Sequence, residues 1–304
     1  MKNDEKTILL KKAKKAVFWN FLFNRPIAHE YHCLMVNLEC CSERQLKHYF
    51  RDYRLCVSAQ VLMVEKYVKS NPALIASYIR AHNWRVSKEM QIKIVESKNA
   101  NLLKRIACLT AGHIGHFEFD ECAVTALINL NNVKYFSEAL EYGLLPKKFG
   151  KASVTAVIET QNPEFFDFYL QYVRKNDIAF WNLHQKILYE QNNSAMIDCF
   201  LKYMSFDANI LCDIITTEDT VLFAKLIKKD KLTSGVELFL AKSGSKKMLA
   251  QYIKQRPLSP EAQIELIKWE CKDILKLHYL KHNISQQALL YLQCLSHFKE
   301  YIDI

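Results

Sequence analysis

The chain has 304 residues, 50% of them hydrophobic and 24% charged, with a formal charge of +10. That is enough apolar matter for one large core or two ordinary ones, and it excludes a disordered polymer. Glycine and proline number six each, where average usage gives about twenty and fifteen. Turn-rich barrels, sandwiches and dinucleotide-binding sheets are thereby disfavoured against helices joined by short polar loops.

No run reaches the roughly 18 apolar residues of a membrane span. Residues 1–15 are basic but lack the apolar segment and cleavage site of a secretory signal. Ten cysteines without a CxxC pair read as buried small apolar side chains in a reducing compartment. The expected setting is cytoplasmic, in the protein's own cell or in a host cytosol. Eleven Lys and Arg against six Asp and Glu give residues 1–55 a net +5, and the other 249 residues carry the remaining +5. The long body is only mildly basic.

Residues 1–57 are predicted to hold a basic capping helix and a divergent first helical pair, near Ala28–Leu38 and Glu43–Tyr53. Lys11, Lys12, Lys14 and Lys15 precede the aromatic run Phe18-Trp19-Asn20-Phe21-Leu22-Phe23. Ile8, Leu9, Phe18, Trp19 and Leu22 are expected to cover the end of the fold while the lysines stay in water. The same segment suits contact with a membrane surface, nucleic acid or an acidic partner.

From residue 58 onward one grammar recurs. Its clearest form is Leu258-Ser-Pro-Glu-Ala-Gln-Ile-Glu-Leu-Ile267, followed by Ile274-Leu-Lys-Leu-His-Tyr-Leu280. Ser259 is a helix N-cap, Pro260 the first helical residue, and Asp273 a candidate cap for the second helix. Further first helices are expected to start at Ser58, Ser87, Asp120, residue 206, Thr233 and Ser285, with Asn101 capping one second helix. An apolar anchor follows sixteen residues after the cap in five units: Ser58 to Leu74, Ser87 to Leu103, Asp120 to Phe136, Ser259 to Leu275 and Ser285 to Tyr301. The reading is all-α: a right-handed α-solenoid of nine or ten helix–turn–helix units of roughly 26–33 residues, continuous over 58–304.

These units resemble the short helix–turn–helix repeat families, with ankyrin nearest in length. The resemblance rests on the two-helix grammar of segments such as LSPEAQIELI and KDILKLHYL. No unit carries the Thr-Pro-Leu-His start or a glycine-rich turn, and the units are shorter than tetratricopeptide or HEAT repeats. The likeness implies architecture, ankyrin-like or HEAT-like, and transfers no functional residue.

Motifs for chemistry are sparse. His29, His32 and Cys33 with Cys40-Cys41 have some of the residue types of a zinc site, yet adjacent cysteines on a helix point about 100° apart. His113 and His116, beside Gly112, Gly115, Asp120 and Glu121, could bind a metal or transfer protons, or simply form a long connection. No phosphate-binding loop, dinucleotide fingerprint, nucleophile elbow or HExxH zinc motif occurs. The sequence therefore assigns no catalytic, cofactor or metal residue. Trp84, Trp181 and Trp269 fall at joints between helices, as binding anchors or as packing plugs.

The expected function is a non-enzymatic scaffold that binds another protein on a concave face or on loops. The alternative is nucleic-acid binding through a basic row at the second-helix ends: Arg80, Lys104, Lys134, Arg174, Lys202, Lys228, Lys254 and Lys281. The helix dipole alone favours cations at such positions.

Overall fold

The computed structural model describes residues 3–82, 85–110, 117–175 and 180–295, with the side chains of 3, 4, 109, 110, 174 and 175 left aside. Trp84, the His113–His116 loop, Tyr301 and the Arg174 side chain lie outside this description. Every regular element among the described residues is helical. Two compact units divide the chain, residues 1–178 and 179–304.

The first unit opens with α1 (Asn3–Phe23), a 3-10 turn at His29–Tyr31, α2 (His32–Val36) and α3 (Glu43–Tyr49). Four helical pairs follow: α4 (Val57–Tyr67) with α5 (Pro72–Ala81), α6 (Lys88–Glu96) with α7 (Ala100–Thr110), α8 (Glu121–Asn129) with α9 (Val133–Glu141), and α10 (Lys151–Glu159) with α11 (Pro163–Lys175). The helices lie in two rows. α2, α4, α6, α8 and α10 pack successively against one another, and so do α3, α5, α7, α9 and α11.

The second unit holds α12 (Asn182–Glu190) with α13 (Ser194–Tyr203), α14 (Ala208–Thr216) with α15 (Thr220–Lys229), α16 (Ser234–Ser243) with α17 (Lys246–Ile253), α18 (Pro260–Lys268) with α19 (Lys272–Lys281), and then α20 (Gln286–Gln293). Here α12, α14, α16, α18 and α20 form one row, and α15, α17 and α19 pack in the other.

First-helix N-caps fall at Cys56, Ser87, Asp120 and Gly150 in the first unit, spaced 31, 33 and 30 residues apart. In the second unit they fall at Trp181, Asp207, Thr233, Ser259 and Ser285, each 26 residues after the last. Seven residues past each cap stands a buried apolar side chain: Met63, Ile94, Leu127, Val157, Leu188, Ile214, Leu240, Leu266 and Leu292. Truncating any one to alanine removes a core anchor, at a cost of about 2–5 kcal/mol for such sites.

Several expected boundaries move. Cys56, not Ser58, begins α4, and its side chain makes no cap hydrogen bond. Asn99, not Asn101, caps α7, accepting from Leu102 N–H at 3.0 Å. Asp207, not residue 206, caps α14. Cys271 precedes α19, and Asp273 is an exposed first-turn residue paired with Lys246 at 3.7 Å. The sixteen-residue offset therefore holds at Leu103, Phe136 and Leu275, all fully buried. It fails for Leu74, and Tyr301 lies outside the described residues. The early helices are also shorter than expected, ending at Val36 and Tyr49.

The scarcity of glycine has a structural counterpart. The first helices of most pairs end at a left-handed residue, Lys98, Asn131, Gln161, Asn192, Glu218, Gly244 or Glu270, with φ between 49° and 69°. At the last of these, Glu270 N–H reaches Ile267 O and Cys271 N–H reaches Leu266 O, each at 3.0 Å. The next residue is usually Asn or Asp, and its side chain caps the second helix. Only one of these seven turns uses glycine.

Candidate interaction surface

A buried amide clamp joins neighbouring first helices within each unit. Gln60, Gln91, Gln185 and Gln263 each stand four residues past a cap and are at most 7% exposed. Each amide oxygen accepts the cap N–H of the following pair: Ser87 at 2.9 Å, and Asp120, Asp207 and Ser285 at 2.8 Å. The amide nitrogens of Gln60 and Gln263 donate to Leu55 O and Leu258 O, both at 2.8 Å. Glu237 holds the same place on α16 and accepts Ser259 N–H at 2.6 Å. Between α8 and α10 the link differs, Glu121 Oε1 accepting Ala152 N–H at 3.1 Å. Sequence reading missed the clamp, although aligning the chain on its caps puts the four glutamines in register.

Directly before the clamp side chains the surface varies. The residue two past each first-helix cap is exposed in all nine cases: Ser58, Glu89, Cys122, Ala152, Leu183, Asn209, Gly235, Glu261 and Gln287. The next residue along is buried in all nine. A constant interior thus carries an outer row of changing chemistry.

The basic candidates separate into groups. Arg80, Lys202 and Lys228 lie in the last turn of their helices, Lys254 is the C-cap of α17, and Lys281 is the last residue of α19. Lys104 stands in the middle of α7 and Lys134 in the first turn of α9, so the expected row of helix ends does not include them. Lys202, Lys228, Lys254 and Lys281 are all exposed. Other basic side chains near these ends are used structurally, each capping the preceding second helix. Lys229 Nζ donates to Leu201 O and to Met204 O. Arg256 Nε reaches Ile227 O at 3.4 Å, and His282 Nε2 lies 2.7 Å from Ile253 O. Cations at carbonyl ends of helices satisfy orphan acceptors and oppose the helix dipole.

In the histidine–cysteine cluster near residue 30, His32, Cys40 and Cys41 are buried, Cys33 is half-buried and His29 is exposed. His32 is fully buried; its Nδ1 accepts Cys56 N–H at 2.8 Å, and its Nε2 lies 3.1 Å from both Ile27 O and Tyr49 Oη. Burial pushes its pKa down. No group of three or more metal-ligating side chains converges among the described residues. Of the ten cysteines, only Cys40 and Cys41 are buried, whereas Cys108, Cys122 and Cys294 are exposed. This corrects the expectation that the cysteines serve as core side chains: most lie on half-covered or open faces of short helices.

Helix α1 turns a different side inward from the one expected. Ala13, Val17 and Asn20 are buried, while Ile8, Phe18, Trp19 and Leu22 are 40–55% exposed. Small side chains allow close approach to α3, the helix on which α1 packs, and the large ones are left outside. Lys11, Lys12, Lys14 and Lys15 are exposed. Trp181 is the N-cap of α12 and Trp269 the C-cap of α18; the Trp269 indole donates to Glu265 Oε1 at 2.9 Å.

Two surface hollows among the described residues are half-open, about 260 Å³ beside Asn192, Ser194 and Lys225, and about 580 Å³ beside Phe21, Arg44 and Arg51. No helix of the described residues is long and apolar enough to cross a membrane. Comparison with protein-family models, with curated proteins and with solved structures finds no match.

Proposed function

We propose that each unit is a stretch of right-handed α-solenoid and that the protein is a non-enzymatic scaffold whose outer helix positions and loops bind another protein. The observation that carries this reading is the contrast along the first helices. Inner positions repeat their packing and their clamp, while the adjacent exposed position changes from pair to pair. Selection on a stacked array keeps the interfaces between units and frees the outward residues for recognition. The ten free thiols fit a cytoplasmic setting.

A second reading, nucleic-acid binding, is favoured by the exposed lysines Lys202, Lys228, Lys254 and Lys281 at successive helix ends. One experiment separates the two. Binding of the full chain to mixed-sequence DNA and RNA is measured over a salt series, beside the variant with these four lysines changed to alanine. The scaffold reading expects no more than weak binding near physiological salt, with little difference between the two proteins. Micromolar binding that falls steeply with salt and is lost in the variant would replace it with the nucleic-acid reading. Photo-crosslinkers at the exposed residues 89, 183 and 261 then map the protein partner.

A further inference from the structure

The end of α1 presents apolar bulk to solvent with cations on both sides of it. Phe18, Trp19, Phe21, Leu22 and Phe23 are 40–57% exposed. Three of them are held together as a cluster: the Trp19 and Phe23 rings stack at 5.1 Å, and Phe18 meets Trp19 edge-on at 5.7 Å, while the Phe21 ring lies 5.2 Å from that of His48. Monomeric soluble surfaces seldom leave so many large side chains exposed on adjoining turns. Behind the cluster stand Lys11, Lys12, Lys14 and Lys15; the helical rise places Lys12 about 10 Å from Trp19 along the axis. In front of it, Arg25 lies 5.9 Å from the centre of the Phe23 ring, and exposed Arg44 and Arg51 border the hollow beside Phe21. The acidic side chains nearby are partly neutralised, Glu43 by Lys47 at 2.6 Å and Glu39 by Lys6 at 3.4 Å.

We propose that this end of α1 docks the protein on an anionic membrane surface. Trp and Phe side chains enter the boundary between headgroups and acyl chains, a level that aromatic rings prefer. The lysines, one to two turns back, reach lipid phosphates with their flexible stems lying along the helix. Charge complementarity selects the occupant. A second copy of this chain would set the same cations against each other, and a neutral apolar partner would leave them unused. α1 does not cross the bilayer: four lysines within five positions exclude a buried span.

The test is co-sedimentation of the full chain with phosphatidylcholine vesicles and with vesicles of equal parts phosphatidylcholine and phosphatidylglycerol. Two variants are compared, Phe18→Ser/Trp19→Ser/Phe23→Ser and Lys11→Glu/Lys12→Glu/Lys14→Glu/Lys15→Glu. All the altered side chains are exposed, and circular dichroism with thermal melting checks the fold. The expected result is binding to the anionic vesicles only, weakened by salt and reduced roughly tenfold or more in each variant. The proposal is overturned if the unaltered chain ignores anionic vesicles or binds neutral ones equally. It is also overturned if either folded variant binds like the unaltered chain. Self-association that is lost in the serine variant, without vesicle binding, would instead assign the patch to a second copy.

Discussion

Tyr252 donates its hydroxyl hydrogen to Glu237 Oε1 at 2.5 Å in the core of the second unit, and the other carboxylate oxygen takes Ser259 N–H at 2.6 Å. Glu237 is fully buried and occupies the place held elsewhere by clamp glutamines. Burial and the adjacent carboxylate both raise the Tyr252 pKa, so the phenol stays protonated and remains a donor. Glu237→Gln preserves the shape and the acceptor, and its amide can donate as Gln263 does to Leu258 O. Urea unfolding of Glu237→Gln is expected to match or exceed that of the unaltered chain. Glu237→Leu strands Ser259 N–H and the Tyr252 hydroxyl and should lose about 2–3 kcal/mol. Equal losses in both variants would refute the equivalence of Glu237 with the glutamines.

His278 Nε2 accepts Leu258 N–H at 3.1 Å and the residue is fully buried. Burial, and then His282 with its ring 5.4 Å away, push the His278 pKa down from 6.5 to about 4. The folded state therefore favours the neutral ring, whereas the unfolded chain protonates near 6.5. The resulting stabilisation is full above pH 6.5 and is lost as pH falls toward 4, on the order of 3 kcal/mol. Unfolding midpoints of His278→Gln should fall less steeply over this window. His32 and His82, whose pKa values burial also lowers, contribute to the remaining slope, as do Glu43 and Glu265, held low by Lys47 and the Trp269 indole. An unchanged slope would remove His278 from the pH response.

The all-helical fold was legible because many caps carry a side-chain oxygen: Ser87, Asp120, Thr233, Ser259 and Ser285 all accept the expected backbone N–H. Cys56, Gly150, Trp181 and Cys271 make no such bond, so no residue preference marks them, and nearby Ser58 and Asp273 drew the boundary instead. The clamp was hidden for another reason. Glutamine on a helix is ordinarily a solvent residue, and the N–H it accepts lies 22 to 29 positions away. Helix α1 carries apolar residues on all sides, so periodicity could not choose its packed face. The small size of Ala13, Val17 and Asn20 did.

Left-handed backbone at Glu218 and Glu270, both at φ 53°, strains any residue with a Cβ. Glycine removes that strain, as Gly244 does at the corresponding turn with φ 69°. Glu218→Gly and Glu270→Gly should each raise stability by about 0.5–1 kcal/mol. Gly244→Ala should lower it by a similar amount, because a Cβ there meets nothing within 4 Å and only the backbone is penalised. Thermal melts of the three variants decide it; destabilisation by either glycine substitution would show that the glutamate side chain contributes to the turn.

Gly150 and Glu121 test the link between α8 and α10, where no clamp glutamine stands. A Cβ on residue 150 would lie 1.9 Å from Glu121 Oε1, so Gly150→Ala must drive the carboxylate off Ala152 N–H. The backbone at 150 is extended, with φ −75° and ψ 171°, which alanine adopts freely. The cost is therefore that of the displaced hydrogen bond, about 1 kcal/mol. In a Glu121→Ala background the obstacle is gone. Gly150→Ala should then be neutral or stabilising by up to about 0.5 kcal/mol, through the lower entropy of the unfolded chain. A double-mutant cycle over the two positions is expected to be non-additive by about 1 kcal/mol. Strict additivity would mean that Glu121 does not fill the space the missing side chain leaves.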